Sequence, residues 1–450
     1  MNFNGKTERR FKLNKGWLLF FTLLLIYNAN IINIKYPESG DNLPVKYLAF
    51  SLTKEFNLDL DEYYPYLFKK YPYLLYNQNI PYYLINTRGH YVHTQGPGGG
   101  ILSFPIFFFV SLFYDFSADS QIAFILTKLT ASLLIALSAI FVYYGLKEIA
   151  DEQIAFYISL VYSLCSCVWS ISSQQMWQHT GSEFFIAMGI YFLLKGIKQR
   201  KFIAYSGFPL ASAVVARPTN GIVFMILLIY VLHKYRDQLL GFISCAFVPL
   251  FFIMWYNQHY FGSIFIYGQL IYGPICALIK RGTPYIWSTP FLEGLTGVMF
   301  SPSRGLLVYS PVFIFSFLGS IYIWKKKEFI LQKYLSIAAL ALICIACKWL
   351  SWWGGHTFGY RTVVDTVPFI SIFLIPVSEW IRTKKVLKFL FATSIIVSLC
   401  IQLIGAFLYD GSWDKSPDID YNRQRLWSWR DSQITYYIRR LTVPLIIKRK

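Results

Sequence analysis

The chain has 450 residues, 55% hydrophobic and only 14% charged, with a mean hydropathy of +0.43. Soluble domains carry roughly 25% charged residues, and apolar runs of roughly 18 or more residues recur here from end to end, which excludes a soluble globular protein and specifies a polytopic, all-α membrane protein. The net charge of +19 does not mark a nucleic-acid partner, because about half of the basic residues lie in short loops between apolar runs, where membrane orientation and anionic lipid account for them.

In chain order, the first apolar run follows Arg9, Arg10, Lys12 and Lys15. It is longer than a signal-peptide core and lacks a small-x-small cleavage site, so it reads as an uncleaved first span. Eleven spans are expected, at about 16–34, 122–146, 154–172, 182–197, 202–217, 219–233, 239–256, 306–324, 334–350, 364–381 and 387–409. The segment 35–121 holds one more apolar stretch, Ile101 to Tyr114, too short for a span and expected as a helix lying at the membrane interface.

Loop charges fix the orientation. With the N-terminus inside, Lys195, Lys198, Arg200, Lys201, Lys234, Arg236, Lys325, Lys326, Lys327, Arg382, Lys384 and Lys385 all fall in cytoplasmic loops, as the positive-inside bias requires. Only the loop from Lys147 to Gln153 is not basic by this measure. The expectation is a multi-pass plasma (inner) membrane protein with one transmembrane domain, 1–409. A short extracytoplasmic tail, 410–450, would lie along the outer surface with Trp413, Trp427 and Trp429. The Cys344-x-x-Cys347 pair sits in an apolar run without a nearby His and reads as small buried hydrophobes rather than a redox or zinc motif. Of the other five cysteines only Cys276 is expected in a loop.

Under this topology the polar residues that could do chemistry collect at one membrane face: Asp41; His90 and His93 before the glycine run Gly96 to Gly100; His179 and Glu183; Arg217; Glu293 and Arg304; and His356, Arg361 and Asp365. Intramembrane ionisable groups are costly and usually functional. Each also has a plain reading. Asp41 could cap the following helix, His179 could be a packed hydrogen-bonding residue, Trp352 and Trp353 could be belt residues, and the arginines could snorkel to headgroups. His90 and His93 could be half a metal site, but no acid at fixed spacing completes it. No phosphate-binding glycine loop follows a strand, so nothing indicates nucleotide binding. An acid and several arginines at the lipid surface suit an anionic headgroup whose tail stays in the bilayer, because small neighbours let an Arg fork meet a phosphate bidentately.

The stretches SGD followed by KYLAFSL, HTQGPGGG, SSQQMWQHT, ARPTN, LTGVMFSPSRGLLVYSP and WWGGHTFGYRTVVDTVPF occur in an order that resembles the C-type (GT-C) membrane glycosyltransferases. The similarity is to the bacterial polyprenyl-phosphate-sugar-dependent enzymes related to protein mannosyltransferases and aminoarabinose transferases, and it covers roughly 16–400. The resemblance implies a GT-C-like fold with interfacial helices in the first outer loop, a polyprenyl-phosphate-linked sugar donor, and transfer with inversion to a hydroxyl of a glycan, lipid or protein acceptor. It makes Asp41 the general base and Arg304, Arg361 and Arg217 the donor-phosphate ligands, with His93, His179, His356 and Glu293 as substrate contacts. Relatives often carry a second acid beside the first; here Asn42 follows Asp41, which argues against a role needing two carboxylates or a metal. No cofactor is implied, and a divalent metal is disfavoured. The alternatives are a transporter or flippase of a lipid-linked glycan, which would place ionisable residues at mid-bilayer and show internal repeats, and a non-catalytic assembly subunit.

Overall fold

A computed structural model describes residues 14–31, 38–70, 75–76 and 80–447. The basic flank Arg9, Arg10 and Lys12 and the end of the first apolar run, 32–34, lie outside the described residues. The fold is almost wholly helical, as the apolar composition requires: in lipid a backbone must bond within its own segment. The helices are α1 (Lys15–Asn28), α2 (Leu43–Lys54), α3 (Tyr64–Lys70), α4 (Gly98–Ser111), α5 (Gln121–Lys147), α6 (Glu152–Leu164), α7 (Gln178–Lys198), α8 (Lys201–Tyr205), α9 (Gly207–Ala216), α10 (Gly221–Lys234), α11 (Leu239–Phe261), α12 (Gly268–Arg281) and α13 (Phe291–Phe300). They continue as α14 (Leu306–Tyr309), α15 (Ile314–Lys325), α16 (Ile330–Lys348), α17 (Val367–Ile372), α18 (Ile375–Thr383), α19 (Lys385–Leu408), α20 (Ser412–Lys415) and α21 (Gln433–Ile447).

This is a multi-pass membrane architecture. Among the described residues, five single helices are long and apolar enough to cross a bilayer: α5, α7, α11 with the turn before it, α16 and α19. A sixth candidate is Arg361–Ile372 with α18, a pair bent by 57°. Four of the remaining expected runs appear as shorter apolar helices, α1, α8–α9, α10 and α15, and 154–172 as α6 followed by a π-helical turn at Val168–Ser172. The stretch expected at the interface is α4, 14 residues long. Helix α5 illustrates why the long ones form. Ser120 caps it by accepting the Ala123 N–H at 3.2 Å, and no Gly or Pro interrupts Gln121 to Tyr144, so propagation meets no break.

Close helix crossings are made at glycine. A Cβ on Gly294 of α13 would lie 1.9 Å from the Cys347 carbonyl of α16, and one on Gly297 would lie 2.5 Å from the Trp352 ring. Small residues are what let membrane helices approach this closely. Gly294→Ala is therefore expected to destabilise the protein by about 1–3 kcal/mol, measured as a lower thermal midpoint in detergent; an unchanged midpoint would mean that α13 does not bear on α16 in this way.

Two features depart from the sequence reading. The segment 35–121 contains two antiparallel hairpins, β1 (Leu75–Tyr76) with β2 (Ile80–Pro81), and β3 (Leu84–Thr87) with β4 (His90–His93). The second closes through Arg88 and Gly89, both at positive φ (50° and 88°), the combination that two-residue hairpin turns require. The C-terminal segment is also not a surface strip. Trp413, Ile419, Leu426 and Tyr437 are buried in the same core as the spans, and α21 packs on α19. Its apolar residues are spaced among charges, so composition alone hid the core face.

Candidate functional site

A cavity of about 670 Å³ opens where chain segments far apart in sequence converge. Its lining includes Asp41, Gln95, Trp177, Gln178, His179, Arg217, Tyr272, Lys280, His356, Arg361, Lys415, Asp418 and Asp420. One side is apolar, built from Ile279, Trp287, Ile345, Ala346, Trp349 and Leu350, with Trp287 and Trp349 meeting edge to face at 5.3 Å.

Asp41 sits at the entrance to α2. It does not cap that helix; Asn42 is the residue at the cap position. Asn42 instead closes the preceding turn: its Oδ1 accepts the Ser39 N–H at 2.9 Å, while the Asp41 N–H meets Ser39 Oγ at 3.2 Å. The Gly40 N–H donates to the Tyr82 hydroxyl at 2.8 Å. The turn thus holds the Asp41 carboxylate away from α2 and into the cavity. There its Oδ2 accepts from Arg361 Nη1 at 2.6 Å and its Oδ1 from Gln95 Nε2 at 2.9 Å. Gln95 is braced in turn by Gln178, which donates to its carbonyl at 2.6 Å, and by the Gln269 amide.

Arg361 comes from the glycine-rich segment before α17. Its guanidinium lies over the Trp177 ring at 4.5 Å, which fixes its plane. Beyond the bond to Asp41, its buried Nε has no hydrogen-bond partner, so donor capacity remains beside the carboxylate. Deeper in the wall, Asp365 accepts from His179 Nδ1 at 3.2 Å and from Arg217 Nη1. Both Arg217 and His179 line the cavity while Asp365 behind them is fully buried.

A second polar group also lines the cavity. Lys280 Nζ pairs with Asp420 Oδ2 at 2.7 Å, and Trp353 Nε1 donates to Asp420 Oδ1 at 2.8 Å. His356 Nε2 meets Asp418 Oδ1 at 3.1 Å. Burial alone would raise Asp420, but Lys280 outweighs it and holds the carboxyl at about 2. For His356, burial works to lower the pKa, yet the Asp418 hydrogen bond and the charges of Asp414 and Asp420 push it above its ordinary value. A folded pKa raised above the unfolded one gives stability that is full below about 6.5 and fades as pH rises through the folded value. His356→Gln should accordingly lower the thermal midpoint more at pH 6 than at pH 9; equal losses at both would contradict a charged His356. The ligand atoms of His356, Asp418 and Asp420 lie within 4.8 Å of one another and could surround a cation, although Lys280 and His356 already balance the two carboxylates. Lys415 has no ion-pair partner among the described residues and is exposed at the rim.

Of the eight residues that the resemblance gives site roles, the cavity brings together Asp41, Arg361, Arg217, His179 and His356. Three lie elsewhere. Arg304 is 1% exposed, and every nitrogen of its guanidinium is engaged: Nε with the Trp353 carbonyl at 2.7 Å, Nη1 with that of Ser303 at 2.7 Å, and Nη2 with the Gly355 carbonyl and Asp414 Oδ1 at 3.0 and 2.6 Å. Four of its five N–H donors are spent on the frame, and the side chain does not line the cavity. Glu293 bonds Arg281 Nη2 at 3.0 Å and Trp352 Nε1 at 3.1 Å, outside the cavity lining. His93 is buried under the site against the backbone of Asp41 and Gly96, and burial drives its pKa down to about 4, so at neutral pH it is an uncharged prop beneath Asp41. The sequence reading overlooked Gln95 and Gln178, although both stand in stretches it quoted, because amides carry no charge signal. It passed over Asp418 and Asp420 because they lie in the tail. Two ionisable side chains also lie buried inside span helices: Lys128, which donates to the Tyr27 carbonyl at 3.0 Å and Gln174 Oε1 at 2.7 Å, and Glu183, which accepts from Ser172 Oγ at 2.6 Å.

No protein-family model matches this chain, and no curated protein matches it.

Proposed function

We propose that this is an integral membrane glycosyltransferase of GT-C-like fold, with eleven spans and a cytoplasmic N-terminus. It moves a sugar from a polyprenyl-phosphate donor to an acceptor hydroxyl at the extracytoplasmic face of the plasma (inner) membrane. The observation that carries the reading is the Asp41–Arg361 pair, a carboxylate beside an arginine with unused donors, in a cavity with one apolar wall. The polar half suits a sugar phosphate; the Trp287–Ile345–Trp349 wall suits the first isoprene units.

The chemistry follows from the charges. The donor is a phosphodiester carrying one negative charge. On binding it competes with Asp41 for Arg361, and the carboxylate released from its ion pair becomes a better base. Asp41 takes the proton of the acceptor hydroxyl as that oxygen bonds the anomeric carbon. The bond from that carbon to the phosphate oxygen breaks, its electron pair stays on the phosphate, and attack from the opposite face inverts the centre. Charge grows on the leaving polyprenyl phosphate, where Arg361 and Lys415 oppose it; such preorganised donors act most strongly at developing charge. Arg217, His179 and His356 are left to contact the sugar or acceptor.

The test is transfer of label from a panel of polyprenyl-phosphate sugars by membranes carrying the protein, with a host extract as acceptor source. Transfer from at least one donor, absent from control membranes, is the expected result. Failure with every lipid-linked donor, while the protein is folded and inserted, overturns the reading.

A further inference from the structure

His90, which sequence spacing left without an acidic partner, finds two in space. The stretch NLDLDE places Asp59 and Asp61 between α2 and α3, and β4 carries His90 against them. His90 Nδ1 lies 2.8 Å from Asp61 Oδ2 and 3.7 Å from Asp59 Oδ2. We propose that Asp59, Asp61 and His90 form a binding site for a divalent cation of the zinc type, clamping the β3–β4 hairpin to the α2–α3 connection.

Three observations support this. The first is geometry. Tetrahedral zinc with bonds of about 2.0–2.1 Å sets its ligand atoms about 3.3 Å apart, and the two measured separations bracket that edge. One imidazole and two carboxylates with a vacancy for water is an open zinc ligand set.

The second is charge. The buried Asp365 and Asp414 and the half-buried Asp420 each face a fixed cation: Asp365 faces Arg217, Asp414 faces Arg304 and Asp420 faces Lys280. Asp59 is 5% exposed, and among the described residues no Lys or Arg lies within ion-pair distance of it or of Asp61. Two carboxylates so placed, with only an imidazole beside them, carry a desolvation penalty that no fixed cation offsets. A dication removes that penalty, because the ion is the largest local charge in its site.

The third is the surrounding shell. Asp61 Oδ1 accepts the Tyr91 N–H at 2.6 Å and Asp59 Oδ2 accepts the Tyr260 hydroxyl at 3.2 Å, the kind of outer contacts that orient metal ligands. The Tyr256 hydroxyl is buried without a hydrogen-bond partner and lies within electrostatic reach of Asp59; a metal-bound water would give it a donor.

The clamp acts on the loop that delivers the candidate site. Thr87 Oγ1 and Arg88 Nη1 already tie the hairpin to the end of α11, at 2.9 Å to the Tyr260 carbonyl and 3.0 Å to that of Gln258. Two residues past β4 stands Gln95, which holds Asp41.

The experiment uses the full chain in detergent, stripped with chelator, loaded with Zn²⁺, desalted and assayed for bound metal by mass spectrometry. One equivalent of zinc is expected, with affinity weakened at least about 10-fold in Asp61→Asn and His90→Gln, since even outer-shell losses cost 10–100-fold. His356→Gln is expected to keep the ion. On the wild type, Zn²⁺ should protect His90 from diethylpyrocarbonate, mapped by peptide mass, so the answer does not depend on any variant folding. Absence of stoichiometric zinc, no protection of His90, or retention in His90→Gln with loss in His356→Gln would each overturn the proposal.

Discussion

Asp41→Asn is expected to slow sugar transfer by about 10²–10⁴-fold, the range a positioned general base contributes. The substitution keeps the shape of the side chain. The Asn carbonyl oxygen can still accept from Gln95, and the turn built by Ser39, Gly40 and Asn42 does not use the carboxylate at all. What is lost is the group that, in the proposed reaction, receives the acceptor proton. Donor affinity should hold or improve, because Arg361 no longer has a carboxylate to compete with the phosphate. A falling kcat with an unchanged or lower donor Kd is therefore the signature, read from single-turnover rates and donor titration. Wild-type rates in Asp41→Asn would remove Asp41 from the chemistry and leave the pair as a structural ion bridge.

The second large effect lies outside the cavity. Asp414→Asn is expected to cost about 3–5 kcal/mol of stability, because it leaves the Arg304 guanidinium buried without its counter-charge. The pair is 1% and 0% exposed, so water cannot replace the lost partner. Asp414 also accepts from the Tyr409 hydroxyl at 2.7 Å and from the Gln433 amide at 3.0 Å. Its loss therefore loosens the C-terminal segment from the spans. Arg304→Met combined with Asp414→Leu should cost clearly less than Asp414→Asn alone, since an ion pair removed whole leaves no orphan charge. Thermal unfolding of the three proteins in detergent measures this. If the double variant is worse than the single, the Arg304 carbonyl contacts matter more than its charge.

The contrast between Arg304 and Arg361 shows where sequence reasoning reaches its end. Both stand in glycine-containing stretches at helix ends, and both read equally well as phosphate ligands. What separates them is a partner 110 residues away: Asp414 for Arg304. Nothing local in SPSRG signals that pairing. The helices themselves were legible, because long apolar runs admit no other backbone in lipid. Asp41, Arg217, His179, His356 and Arg361, which loop charge assigns to one membrane face in the sequence reading, line one cavity. Gln95 and Gln178 were not legible, since an uncharged amide in a loop gives no reason for attention until its partner is known. The β3–β4 hairpin was missed because its turn, Arg88–Gly89, lacks the Asn-Gly or Asp-Gly pair that marks such turns best. His90 was set aside for want of a nearby acid; the acids were about thirty residues upstream, on the other side of α3.

The most direct test of the account is a structure of the full chain with bound polyprenyl phosphate. The phosphate is expected against Arg361, beside Asp41, with the first isoprene units along Trp287, Ile345 and Trp349. Lipid bound elsewhere, with this cavity empty and the Asp41–Arg361 pair intact, would contradict it.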